Sequence, residues 1–184
     1  MNALLTVSDA RALIDEGGVI AYPTEAVYGL GCDAWNENAV SRVLALKQRP
    51  VEKGLILLIH EWKDLFPLIQ EVPDDALEHV KATWPGPVTW IFPKSSRIPD
   101  YLSGAHPGIA IRMSTHPVAH ALCKHGPIIS TSANRAGVPP CRDVDALQAE
   151  FHTGEVDGIV EGYLGGLSTP TVILDVLTQQ KWRE

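Results

Sequence analysis

The sequence predicts a single α/β domain built on a mixed sheet with helices beside it. Strand-like and helix-like segments follow one another through all 184 residues, without repeats or low-complexity tracts. A chain of this length can bury a sizeable core, and 45% apolar with 20% charged residues is ordinary for a globular protein. The short Pro- and Gly-rich stretches fall between elements, so residues 1–184 are expected to form one domain without a linker.

Capping residues and apolar stripes define the elements of the first third. Ser8 can cap a first helix and Asn36 a second one, whose last turn places Lys47 on or near the inner face. The apolar segments before and after the second helix are expected to be buried strands. These predictions give helices over 9–16 and 37–47 and strands over 19–22 and 54–60.

Proline positions organise the remainder of the chain. Pro73 can start a helix, Pro117 lies in the first turn of another, and the Trp-Pro-Gly-Pro segment at 84–87 forms a rigid loop. One of the predicted strands carries a polar residue, Arg112. The predicted helices are 74–83, 116–124 and 143–151, and the predicted strands are 88–92, 108–113, 127–130, 157–160 and 171–176.

Polar clusters stand at the ends of several predicted strands. Thr24 and Glu25 follow the strand over 19–22, and Lys47, Arg49 and Lys53 come just before the strand over 54–60. A Ser-Thr-Ser-Ala-Asn segment at 130–134 follows a later strand. Hydroxyls and clustered cations at strand ends are how α/β proteins hold phosphate and carboxylate groups. The sequence therefore predicts one anion-holding cleft.

Composition excludes several classes of function. The net charge of −7 argues against broad DNA coating, although a local basic cleft remains compatible with it. The longest purely apolar run covers only residues 55–59, which is far too short to span a membrane. The N-terminus lacks a basic segment followed by an apolar one, so no signal peptide is expected and the cytoplasm is the predicted location.

Three weaker patterns favour structural explanations. Gly29-x-Gly31 imitates a dinucleotide fingerprint, but Pro23 already breaks the strand and no helix begins at the glycines, so they more simply allow close backbone approach. His116 and His120 share a helix face without a third metal ligand. The three cysteines are distant from one another and are expected to be reduced, buried thiols.

Each polar cluster also has an ordinary structural explanation when taken alone. Lys47-x-Arg49 could be solvated cations at a helix C-terminus, residues 130–134 a hydroxyl-rich turn, and Arg112 an edge-strand charge. Their joint occurrence is what resembles a known family. The segments Tyr-Pro-Thr-Glu-Ala-Val-Tyr-Gly-Leu-Gly (22–31), Lys-Gln-Arg-Pro (47–50), Gly-Ile-Ala-Ile-Arg (108–112) and Ser-Thr-Ser-Ala-Asn (130–134) resemble the YrdC/TsaC family over about residues 12–176, in its short, single-domain form.

The resemblance implies a threonylcarbamoyl-AMP synthase with an open twisted sheet around a positively charged concave cleft. Such enzymes form threonylcarbamoyl adenylate and diphosphate from L-threonine, bicarbonate or CO₂, and ATP, with Mg²⁺ on the phosphates. A partner threonylcarbamoyl transferase complex then modifies the adenosine next to the tRNA anticodon. Contact with tRNA is possible, whereas membrane and DNA partners are not expected.

The resemblance also implies roles for the matched residues, with no residue assigned to a metal. Lys47 and Arg49 would be the catalytic cations, because two anions must approach each other during attack on the α-phosphate. The predicted threonine-binding residues are Thr24, Lys53, Arg112, Ser130 and Thr171. The predicted ATP-binding residues are Lys47, Arg49, Ser132, Asn134, Pro140 and Arg142.

Two departures from the family pattern bear on these roles. Long-form members carry a Pro-Leu and a histidine after the Lys-x-Arg-Pro, whereas this chain has Val-Glu-Lys-Gly-Leu at 51–55, where Lys53 would replace that contact. Before the last strand the family favours a Ser-Thr pair, where this chain has Pro-Thr-Val at 170–172; Thr171 could supply one hydroxyl, but the next position cannot. Glu25 is a candidate general base, but a structural carboxylate fits it equally.

Two other functions are compatible with parts of this sequence. The first is a non-catalytic RNA-binding maturation factor, which the acidic charge and the absence of an aromatic-rich platform disfavour. The second is a carbamoyl-adenylate site for another amine, as in carbamoyltransferase maturation proteins, whose zinc-type cysteine motifs are absent here.

Overall fold

A mixed sheet runs through the molecule, which the computed structural model describes for residues 1–169 and 171–183; Pro170 and Glu184 lie outside it. Within these residues the sheet has ten strands in the order β1-β8-β2-β3-β7-β4-β6-β5-β9-β10. They are β1 (Leu4–Leu5), β2 (Ile20–Pro23), β3 (Tyr28–Gly31), β4 (Ile56–Leu58), β5 (Val88–Pro93), β6 (Gly108–Arg112), β7 (Ile128–Ser132), β8 (Gly158–Val160), β9 (Val172–Asp175) and β10 (Lys181–Arg183). The sheet contains parallel pairs such as β4–β6 and antiparallel pairs such as β4–β7, which confirms the predicted mixed sheet.

Helices flank this sheet, as predicted. They are α1 (Val7–Asp15), α2 (Glu37–Lys47), α3 (Trp62–Leu65), α4 (Asp74–Lys81), α5 (Asp100–Ser103), α6 (Pro117–Leu122) and α7 (Val144–Glu150), with 3₁₀ turns at Val51–Lys53 and Phe66–Leu68. On one face, Ile14 of α1 and Leu122 of α6 pack on Leu58 and Ile128 in one apolar cluster. The larger cluster on the other face includes side chains of α2, α4 and α7.

The predicted second helix is confirmed with both of its ends. Asn36 Oδ1 accepts the Ala39 amide at 3.1 Å, and the helix ends at Lys47, before Gln48 in the left-handed conformation. The predicted cap of the first helix is wrong. Thr6, rather than Ser8, is the N-cap, because Thr6 and Asp9 satisfy each other's backbone amides in a capping box.

Several short elements escaped prediction. Strands β1 and β10 and the short helices α3 and α5 have too few residues to show a period. The predicted strand over 54–60 shrinks to β4, because Gly54 ends a 3₁₀ turn at φ 62°. The expected close approach at Gly31 is confirmed: a Cβ there would lie 2.6 Å from the Ile129 carbonyl oxygen.

Candidate active site

An open cleft of about 690 Å³ lies on the sheet face that carries α1 and α6, beyond the part these helices cover. Side chains alternate between the faces of a strand, and one row of paired residues across five strands forms part of the cleft lining. The row runs from β7 to β9 through Ser130, Ile56, Ala110, Ile91 and Asp175. The sheet register therefore places residues distant in sequence side by side.

Two hydroxyl groups meet at the β3 side of the cleft. Thr24, which is 6% exposed, donates from Oγ1 to the Val27 carbonyl oxygen at 2.6 Å. Tyr22 donates its hydroxyl to Ser130 Oγ at 2.8 Å, and burial raises the pKa of Tyr22 so that it remains a donor. Since Ser130 accepts this bond, its own proton can be donated to a ligand.

Arg112, which also lines the cleft, belongs to a buried ion pair. Arg112 Nη1 donates to Glu25 Oε2 at 2.9 Å, and both side chains are 6% exposed. Ser114 Oγ donates to Glu25 Oε1 at 2.7 Å, and the Thr115 amide donates to the same oxygen at 3.3 Å. Burial acts to raise the pKa of Glu25, but the Arg112 charge and these hydrogen bonds hold that pKa below its usual value. The geometry therefore favours Glu25 as the residue that orients Arg112, rather than as a general base.

Lys47 lies behind the wall of the cleft and holds a turn in place. Its Nζ donates to the Ser132 carbonyl oxygen at 2.5 Å, to the Asn134 carbonyl oxygen at 3.0 Å and to Asn134 Oδ1 at 3.2 Å. Ser132 Oγ in turn donates to Asn134 Oδ1 at 2.7 Å. The three residues 132–134 are called the Ser/Asn turn below. Lys47 is 6% exposed and does not line the cleft, so in the structure it supports the turn instead of facing the cleft.

The buried position of Lys47 predicts a specific pH dependence of stability. Burial, together with the nearby charge of Arg49, lowers the pKa of Lys47 from 10.5 to about 8. Between these two values the unfolded chain binds the proton more tightly, so stability rises with pH in this window and falls as the pH drops through 8. The free-energy difference between wild type and Lys47→Met, measured by urea unfolding, should increase by at most about 1.4 kcal/mol per pH unit there. A flat difference between pH 8 and pH 10.5 would contradict the proposed desolvation.

Arg49 and Lys53 enter the cleft lining from the segment between α2 and β4. Arg49 Nη2 donates to the carbonyl oxygen of Gly54, the residue that ends the 3₁₀ turn at Val51–Lys53, at 2.9 Å. Lys53 is exposed at the rim. With Arg112 they bring three cations to the lining, which also contains the carboxylate of Asp175. The net positive character of the cleft stays a prediction.

Most of the predicted site residues gather in this cleft. Those that line it are Thr24, Arg49, Lys53, Arg112, Ser130, Ser132, Pro140 and Thr171. Asn134 lies behind the wall, where its Nδ2 donates to the Arg135 and Val138 carbonyl oxygens. Arg142 is exposed and does not line the cleft. The structure therefore separates the direct lining from supporting residues.

Sequence reasoning missed part of the lining. Tyr28, Asp175, Leu177 and Trp182 line the cleft. Trp182 is 59% exposed, and its strand β10 is too short to predict. Asp175 pairs with Ile91 and so belongs to the row of paired residues that lines the cleft. This pairing cannot be predicted from the sequence unless the order of the strands is known.

The histidines and cysteines have structural surroundings. His116 Nε2 lies 2.9 Å from the Tyr163 carbonyl oxygen, and His120 stacks on His60 with ring centroids 4.2 Å apart. Across the described residues, no group of three or more His, Cys, Asp or Glu side chains is placed to hold a metal ion. The three cysteines are buried, and burial raises the pKa of Cys123 to about 12, which makes it a poor nucleophile.

Comparisons with known proteins identify relatives along nearly the whole chain. The profile of the Sua5/YciO/YrdC family, described as "Telomere recombination", matches residues 12–183. A threonylcarbamoyl-AMP synthase of Pseudomonas paraeruginosa is 50% identical over 172 residues, covering 93% of this chain and 92% of the relative. The corresponding enzyme of Coxiella burnetii is 49% identical, with 94% of each chain covered. The crystal structure of P. abyssi Sua5 complexed with L-threonine superposes with a TM-score of 0.86 at 33% identity, over 95% of this chain and 53% of that one.

Proposed function

The chain belongs to the Sua5/YciO/YrdC family, and on that premise we propose that it is a threonylcarbamoyl-AMP synthase. It forms threonylcarbamoyl adenylate and diphosphate from L-threonine, bicarbonate or CO₂, and ATP. The observation that carries the proposal is the convergence in one cleft of hydroxyls, a buried arginine and further cations from segments distant in sequence. The relatives named above support this function and not the non-catalytic RNA-binding alternative.

The β3 side of the cleft suits an amino acid. A guanidinium has five N–H donors, so Arg112 can bind Glu25 and still present donors to the threonine carboxylate. Thr24 and Ser130 provide hydroxyl groups on the same side, whereas Thr171 lines the cleft from the β9 side and would reach threonine from there. In this proposal the amine of threonine, held near these groups, combines with CO₂ to give a carbamate and releases a proton.

The part of the cleft lined by Arg49, Lys53 and Ser132 suits the phosphates and is called the nucleotide side. A carbamate oxygen attacks the α-phosphorus of ATP, a new P–O bond forms, and the bond to the diphosphate leaving group breaks. Two anions approach in this step, so Arg49 and Lys53 are placed to offset their repulsion. Ser132 would contact the nucleotide, Pro140 would line its path, and Asn134 and Lys47 would fix the turn that carries Ser132. The reaction needs positioning and charge rather than a protein nucleophile.

A Mg²⁺ ion that arrives with ATP would find one carboxylate in the described cleft lining, that of Asp175. Such an ion usually keeps several waters and binds substrate phosphates with one or two carboxylates. Asp175 lines the cleft, although its Oδ1 already accepts the Leu177 and Thr178 amides, and Glu25 is engaged by Arg112. When bound, Mg²⁺ would neutralise charge on the triphosphate oxygens.

The remaining partners follow from the proposed product. A mixed anhydride of a carbamate and AMP is an acyl donor, so we propose that a threonylcarbamoyl transferase complex consumes it to modify tRNA. Direct tRNA contact, a positive potential in the cleft and a cytoplasmic location belong to the same proposal. No helix in the described part of the chain is both long and apolar enough to cross a membrane.

The proposed function predicts the dependence of diphosphate release on each substrate. Purified protein with ATP, Mg²⁺ and bicarbonate should release diphosphate only when L-threonine is added, and it should not need tRNA. Serine lacks one methyl group, so its kcat/KM should be at least about tenfold lower than that of threonine. Release that is indifferent to threonine would contradict the proposal. A folded protein that releases none, yet binds tRNA with steep salt dependence, would support the RNA-binding alternative.

A further inference from the structure

Arg135 follows the Ser/Asn turn directly and joins three separate segments outside the cleft. Its Nη1 donates to the Leu46 carbonyl oxygen at 3.1 Å, and its Nη2 donates to Glu155 Oε2 at 2.7 Å. Its amide donates to Glu150 Oε1 at 3.0 Å, and the guanidinium lies 5.5 Å from the centre of the Phe151 ring. The side chain is only 24% exposed and does not line the cleft, so a direct role in ligand binding does not account for these contacts.

The end of α2 explains what the contact with Leu46 does. The last four carbonyl groups of a helix have no partner within the helix and must be satisfied by other groups. Two of them are satisfied locally, because the Gln48 amide donates to the Ala45 oxygen at 3.0 Å and the Arg49 amide to the Leu44 oxygen at 2.9 Å. Gln48 adopts the left-handed conformation, φ 50°, that ends the helix at this point.

The other two carbonyls are satisfied from across the fold. Arg135 Nη1 donates to the Leu46 oxygen, and the Ala136 amide donates to the Lys47 oxygen at 3.1 Å. Lys47 reaches back in the opposite direction and donates its Nζ to the Ser/Asn turn. The helix end and the turn therefore hold each other through bonds in both directions.

From this arrangement we infer that Arg135 is a positioning residue for the nucleotide side of the site. It fixes the distance between Arg49, which follows the helix end, and Ser132, which begins the turn. The ion pair with Glu155 and the contact with Phe151 hold the guanidinium so that Nη1 stays aimed at the Leu46 carbonyl. The inference rests on the proposed function only in naming ATP as the ligand of this side.

The consequence for substrates is selective. Thr24, Arg112 and Ser130 hold no contact with Arg135 and are supported by the ion pair with Glu25 and by Tyr22. Loss of Arg135 should therefore weaken ATP binding and leave threonine binding in place. A general loss of stability would weaken both.

The test compares Arg135→Gln and Arg135→Lys with Arg42→Gln as a matched control. Arg42 lies on α2, the helix whose end Arg135 contacts, and it pairs with Asp157 at 2.9 Å. We would measure the KM for ATP and for threonine in diphosphate release, and the Kd of a non-hydrolysable ATP analogue by calorimetry. For Arg135→Gln, the KM for ATP and the Kd of the analogue should rise about tenfold, the loss of one charge-assisted hydrogen bond. The KM for threonine should stay within about twofold for all three variants.

The outcomes separate the inference from the proposed function. An unchanged analogue Kd in Arg135→Gln, or a joint rise of both KM values in proportion to lost thermal stability, would overturn the inference and leave the synthase activity intact. Wild-type protein that binds the analogue without turnover would overturn the proposed function, while the ratio of the two Kd values would still decide the role of Arg135. Wild type without analogue binding would overturn both. If Arg135→Gln does not fold, Arg135→Lys decides, because an ammonium group cannot bond Leu46 and Glu155 in the same fork.

Discussion

Arg49→Gln is expected to slow threonine-dependent diphosphate release by about 10²–10³-fold, the typical cost of removing one group that stabilises developing charge. Arg49 lines the cleft beside the site proposed for the phosphates, whereas Lys47 lies behind its wall. The loss should fall mainly on kcat, because the repulsion between carbamate and triphosphate grows as the two approach. The measurement is steady-state release of diphosphate at saturating threonine and bicarbonate.

Two further variants make this result specific. Arg49→Lys keeps the charge but loses the planar fork that bonds the Gly54 carbonyl, so it should retain more activity than Arg49→Gln without reaching wild type. Arg97→Gln makes the same charge change at an exposed position outside the cleft and should leave the rate unchanged. Equal rates for Arg49→Gln and Arg97→Gln would remove Arg49 from the catalytic step.

The second large effect is expected at the buried ion pair. Arg112→Gln should lower the free energy of unfolding by about 3–5 kcal/mol, because the Glu25 carboxylate would stay buried without its cation. The KM for threonine should rise about ten- to a hundredfold in the protein that remains folded, since a charge-assisted fork to the carboxylate is lost. Urea unfolding and threonine titrations of the release rate measure the two effects separately.

A double variant distinguishes the structural role of Arg112 from its binding role. Glu25→Gln combined with Arg112→Gln removes both charges and should recover part of the stability, because no uncompensated buried charge remains. The high KM for threonine should persist in the double variant, because Glu25→Gln does not restore the guanidinium that Arg112→Gln removes. Recovery of threonine affinity in the double variant would show that Arg112 acts only on stability.

The local features of the fold were within reach of the sequence. The helix ending at Lys47 has a capping residue, an apolar stripe and a terminal cation, each of which is determined by neighbours in the chain. The polar clusters at strand ends were predictable for the same reason, because each one follows or precedes an apolar run in the sequence. Eight of the predicted site residues line the cleft as a result.

Contacts between distant segments were beyond that reach. Glu25 and Arg112 are separated by 87 residues, and nothing near either one indicates the pairing. Lys47 was expected near the inner face of its helix, but its acceptors lie 85 and 87 residues away, so periodicity could not show that it would support a turn instead of facing a ligand. The role of Glu25 depended on the same missing information, namely which strands are neighbours.

The strand order of the sheet also bears on how the protein is made. β8 returns to pair with both β1 and β2, β7 inserts between β3 and β4, and β9 adds to β5. Contacts of such long sequence separation form slowly, because the intervening chain must be closed into loops first. During synthesis, the N-terminal strands would leave the ribosome well before β7 and β9 exist. With the cleft as the proposed substrate site, a nascent chain should gain affinity for substrates only after β7 and β9 have been made, and the substrates would then stabilise the finished fold but not its precursors.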